Sequence, residues 1–120
     1  MSKRPEYERP TPDASIREAR VYGKRARLGL IVPSTNTVAE TEFWQMAPPG
    51  VTVHTSRMPF LPDRYEKPLD EMERHVARVL EEAASAEPDV IAYGCTASSA
   101  KGDPDEYKSR LETEGGTPTE

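Results

Sequence analysis

Asp89-Val90-Ile91-Ala92-Tyr93-Gly94-Cys95-Thr96-Ala97-Ser98-Ser99 is the stretch on which the fold turns. Its apolar first half reads as a parallel strand buried on both faces, and the small residues after it read as a loop leaving the strand's carboxyl end. Open α/β sheets bind ligands at that edge. Cys95 stands there, where loop N–H groups can face an anion, and is the first candidate for chemistry. The competing reading is an inert core thiol, since free cysteine is among the most buried residue types.

Working back, Leu28-Gly29-Leu30-Ile31-Val32 is a second compact apolar run, stopped by Pro33. The loop Pro33-Ser34-Thr35-Asn36-Thr37 leads into a helix over Val38 to Met46, with Thr37 as N-cap and Glu40 three residues on in the capping-box pattern. Pro48-Pro49-Gly50 ends that helix, and Val51 to Arg57 alternates as a strand. The connection from Pro59 to Pro68 carries Phe60, Leu61 and Tyr65, and such a loop at the ligand end of a sheet reads as a lid or wall. Leu69, Met72, Val76, Val79, Leu80 and Ala83 then recur at three- and four-residue steps, predicting one amphipathic crossover helix from Leu69 to Ala86. A last helix follows, with Asp103 as N-cap and Pro104 in its first turn, ended by Gly115-Gly116. The expected architecture is a three-layer α/β lobe of flavodoxin-like type on a parallel sheet, incomplete at three to four strands. Its edges are open to pairing.

Residues 1–24, with three prolines among charged residues, read as a flexible leader, and residues 25–120 as the folded lobe. The chain has 120 residues and a net charge of -5, with no basic patch, which argues against a nucleic-acid partner. No apolar stretch approaches the roughly 20 residues that span a bilayer. One cysteine excludes an internal disulfide, and Cys95, His54 and His75 are too scattered to assemble a zinc site, so no metal is expected. These features suit the cytoplasm.

Val32-Pro33-Ser34-Thr35-Asn36-Thr37 with Glu40-Thr41-Glu42, His54-Thr55-Ser56-Arg57, and Tyr93-Gly94-Cys95-Thr96-Ala97-Ser98, taken together, resemble the maleate cis-trans isomerase and arylmalonate decarboxylase branch of the aspartate/glutamate racemase superfamily. The resemblance runs from about Arg27 to Thr119 and covers the amino-terminal lobe alone. It implies two similar lobes with the substrate between them and no cofactor. It further implies Cys95 as the nucleophile that adds to a substrate double bond, Asn36 as a carboxylate ligand, and the backbone of Thr96 and Ala97 as a cradle for the other end. An asparagine amide and backbone N–H groups suit that task, because they donate to a carboxylate without adding a titrating charge. Arg57 stands either as a bidentate carboxylate ligand or as half of a structural ion pair, and Ser34 as a cap or a site residue. The expected ligand is a small dicarboxylate. The decarboxylases resemble this pattern with glycine in the Cys95 position, which tilts the reading toward an isomerase or racemase. With the second lobe absent, a truncated gene product, a separate second-lobe chain, a homodimer and a non-catalytic carboxylate-binding half all stay open.

Overall fold

The computed structural model describes residues 14–95, Ala97 and residues 104–115. Strands β1 (Ala26–Pro33), β2 (Val51–Met58) and β3 (Val90–Tyr93) form one parallel sheet in the order β2-β1-β3. Leu30, Ile31 and Val32 are completely buried, as a central strand covered on both faces must be. On the edge strand β2 only Val53 and Met58 are buried, and they face opposite layers.

Helix α2 (Ala39–Met46) covers one face, where Ala39 and Phe43 pack on Leu30, Val32 and Val53. Helices α3 (Pro68–Glu73), α4 (Val76–Ser85) and α5 (Pro104–Gly115) belong to the other side. There Met72, Val76, Val79, Leu80 and Leu111 bury Ile31, Met58 and Ile91 in the larger core. The result is an α/β open sheet with helices on both faces, the three-layer architecture that the apolar runs predict. Among the described residues no helix is long and apolar enough to cross a membrane.

Two local readings need correction. The stripe from Leu69 to Ala83 is continuous, but the helix that carries it is not: the His75 N–H bonds back to Met72 O at 3.0 Å, a tighter turn that separates α3 from α4. Side-chain periodicity survives such a kink, which is why it hides in the sequence. At the start of α2, Thr37 makes no capping bond. Asn36 takes the task instead, its Oδ1 accepting the Val38 and Ala39 N–H groups, both at 2.9 Å. Glu40 turns away from a capping box to pair with Arg57 at 3.1 Å.

Residues 14–24 are the described end of the segment read as a leader. Helix α1 (Ala14–Glu18) opens this segment, and Arg20 beyond it is buried at 7% exposure. The Arg20 guanidinium donates to Gly23 O at 3.1 Å and to Asp89 Oδ2 at 3.1 Å, while Arg17 reaches Asp89 Oδ1 at 3.4 Å. Asp89 also accepts the Arg27 N–H at 2.8 Å, stapling the start of β3 to β1. Residues 1–13, the Asp103 cap and residues 116–120 lie outside the described residues.

Burial alone would raise the Asp89 pKa. The hydrogen bonds from Arg20 and the Arg27 backbone, with the charges of Arg20 and Arg17, outweigh it and hold the carboxyl below its ordinary value of 3.8. The unfolded chain therefore takes up this proton at a higher pH than the folded one. Stabilisation from the staple is full above about pH 5 and disappears as pH falls through the ordinary value toward the lowered one. Acid titration followed by circular dichroism is expected to show this loss, and Asp89→Asn to remove the component; an unchanged acid limb would contradict it.

Candidate active site

The strand order creates the site. The chain passes from β1 out to β2 and returns across β1 to β3, so the loops after β1 and β3 leave the same edge in divergent directions, opening a crevice. Register aligns them, since Ile31 pairs with Tyr93, leaving Pro33 and Cys95 as neighbours at the top of the sheet. A cavity of about 370 Å³ lies there, lined by Pro33, Thr35, Asn36, Thr37, Val38, Phe60, Leu69, Cys95 and Ala97. That volume suits a small-molecule ligand.

The asparagine loop is held from several sides. Pro33 to Asn36 forms a turn closed by Asn36 N–H to Pro33 O at 2.9 Å, and Ser34 N–H donates to Met58 O at 2.7 Å. The Ser34 hydroxyl both donates to Phe60 O at 3.1 Å and accepts the Phe60 N–H at 2.9 Å. Ser34 thus clamps the wall of the cavity rather than lining it. Arg57, leaving β2 at the same edge, donates to Ser34 O at 3.3 Å, to Asn36 O at 2.8 Å and to the Glu40 carboxylate at 3.1 Å. Its guanidinium is directed at the protein and is not part of the cavity lining.

Cys95 lies at the junction of cavity and core. It is 7% exposed and belongs to the larger apolar cluster, yet it lines the cavity with Asn36. Gly94 before it has its N–H on Ile31 O at 2.6 Å, so β3 stays against β1 up to the cysteine. Ala97 faces the same cavity, and Thr96 lies outside the described residues. Phe60 and Leu69, from the connection read as a lid or wall, form the apolar side. Thr35 and Thr37 also contribute to the lining. Thr35 escapes a sequence reading, and Thr37 reads first as a cap, because threonine in a β–α loop ordinarily caps the helix that follows. Among the described lining residues none carries a charge, and among the described residues no three His, Cys, Asp or Glu side chains gather as a metal site.

Fold and cavity define a class: an α/β lobe with a small-ligand crevice at its switch point, bordered by a thiol and an amide. Within that class, the chain resembles the maleate cis-trans isomerases. It aligns with a cysteine-to-alanine variant of maleate isomerase Iso from Pseudomonas putida S16, solved with maleate, at 28% identity and a TM-score of 0.63, over 78% of this chain and 43% of that one. The Nocardia farcinica maleate cis-trans isomerase bound to TRIS aligns at 27% identity, TM-score 0.62, over 78% and 42%. A cysteine-to-serine mutant of the Nocardia enzyme, holding a covalently bound succinylcysteine intermediate, aligns at 26% identity, TM-score 0.60, over 76% and 41%. The chain thus spans about two fifths of the length of these isomerases. No family model and no curated protein matches the sequence.

Proposed function

We propose that this chain supplies one half of a cofactor-independent site that isomerises a small dicarboxylate of the maleate kind, with Cys95 as nucleophile and Asn36 as carboxylate ligand. The observation that carries the reading is the shared cavity of Cys95 and Asn36 at the switch point, in a chain similar to maleate isomerases. The thiolate of Cys95 adds to one alkene carbon, forming a C–S bond while the π pair moves onto the adjacent carboxylate. The former double bond rotates as a single bond. Collapse returns the pair, reforms the alkene in the trans sense and expels the thiolate, with no net oxidation. The donors at whichever carboxylate receives the pair, Asn36 at one end or the Thr96 and Ala97 backbone at the other, grip harder as negative charge builds there, which lowers the barrier rather than only tightening binding.

An opposed group lends a proton to the carbanionic carbon of the adduct and takes it back before the thiolate leaves. In this reading it comes from a second lobe, whether in a continuation of this chain, on a further chain or in a second copy, and the site works in the cytoplasm. The lining of an amide, hydroxyls and hydrocarbon favours a compact diacid, and the cysteine in place of the decarboxylases' glycine favours isomerisation or racemisation over decarboxylation.

The low exposure of Cys95 and its packing in the core favour a second reading, a carboxylate-binding half without turnover. Proton NMR of the chain mixed with maleate separates the two. Fumarate, or a maleate adduct on Cys95 seen by mass spectrometry where the opposing lobe is missing, is the expected result, each lost in Cys95→Ser. Binding with neither fumarate nor adduct selects the second reading, and the absence of binding, adduct and conversion defeats both.

A further inference from the structure

We infer that Arg57 is a positioning residue that holds Asn36 so that its amide meets a ligand only through its N–H groups. The ligand's identity rests on the isomerase reading, whereas the brace rests on geometry alone. An amide oxygen has two lone pairs, and both are taken: the Val38 and Ala39 N–H groups each lie 2.9 Å from Asn36 Oδ1. Two backbone donors at one end of the amide require that end to be oxygen. Nδ2 is therefore the end left for the cavity, which at this point donates and does not accept. Such a subsite favours a carboxylate and disfavours any ligand group that needs an acceptor there.

Arg57 keeps this arrangement in place from behind. One of its amino groups, Nη1, bridges Ser34 O and Asn36 O, and the other, Nη2, is fixed by Glu40 in the first turn of α2. The planar fork thereby links the strand end, the turn and the helix that Asn36 caps. A lysine, carrying a point charge on a flexible stem, cannot span the same three acceptors. Arg57 acts through Asn36 and needs no contact with the ligand.

Asn36 is the only asparagine in the sequence and Gln45 the only glutamine, so the side-chain amide region of a ¹⁵N correlation spectrum contains two NH₂ pairs. Gln45 is exposed on α2 and serves as internal reference. In the ligand-free chain, Arg57→Lys is expected to move the Asn36 pair toward the position of a solvated amide and leave Gln45 in place. Glu40→Gln, which keeps the arginine but loosens one tie, is expected to move it part of the way and decides the matter should Arg57→Lys fail to fold. An Asn36 pair that stays put in the folded variants overturns the inference.

Titration with maleate gives the second arm. Wild type shows a shift confined to the Asn36 pair, and folded Arg57→Lys requires about tenfold more maleate. Equal affinity in the two proteins also overturns the positioning role. If maleate moves nothing in wild type, the isomerase reading fails, and the ligand-free comparison still decides the brace.

Discussion

Asp89→Ala is expected to destabilise the fold by about 3–5 kcal/mol, because it leaves a buried guanidinium without its counter-charge. The Arg20 side chain is 5% exposed, and apart from Asp89 its bond in this corner is to Gly23 O. The same substitution orphans the Arg27 N–H and releases Arg17. A loss of that size is a large share of a small domain's stability and corresponds to more than about ten degrees of melting temperature. Arg20→Met combined with Asp89→Ala is expected to recover much of it, since no buried charge then remains. Thermal and urea unfolding of both proteins check this. A single variant within about 1 kcal/mol of wild type would show that Arg20 reaches water without effort.

Gly94→Val is expected to damage stability and site together. A Cβ on Gly94 would lie 3.0 Å from Ile31 O and 3.0 Å from Val32 Cγ1, with Leu30 Cδ1 at 3.5 Å. The first of these is a backbone oxygen already bonded to the Gly94 N–H, so it cannot withdraw without breaking the β1–β3 ladder at its last rung. The two γ-carbons of valine deepen the clash, and overpacking of this kind costs about 1–3 kcal/mol. Relief requires the end of β3 to move off β1, which carries Cys95 away from the Asn36 loop. Melting temperature should fall, and the maleate-dependent shift of the Asn36 amide should vanish in the protein that remains folded. A variant of wild-type stability and response would mean that this strand end yields freely.

Much of the fold is legible in the sequence because its determinants are local. Leu28 to Val32 and Val90 to Tyr93 are apolar runs too short for a helix and bounded by proline, glycine and polar residues, which favours buried strands. The stripe on α3 and α4 is equally local, and every buried residue of both helices belongs to it except Ala84. The capping of α2 is a closer contest. Thr37 and Asn36 both have the chemistry of a cap, and the turn from Pro33 to Asn36 brings the asparagine oxygen to the helix N–H groups first. Composition cannot choose between them; the turn does.

From the residue order alone followed the strand-loop-helix alternation, the parallel sheet, and the placing of Asn36 and Cys95 at strand carboxyl ends, because each depends on periodicity and turn chemistry within about ten residues. Only the tertiary structure joined those ends in one cavity, turned Arg57 onto the asparagine loop 21 residues away and bonded Arg20 to an aspartate 69 residues further on. Charged side chains carry no period and take whichever partner packing brings near. Their roles are therefore decided when the sheet closes.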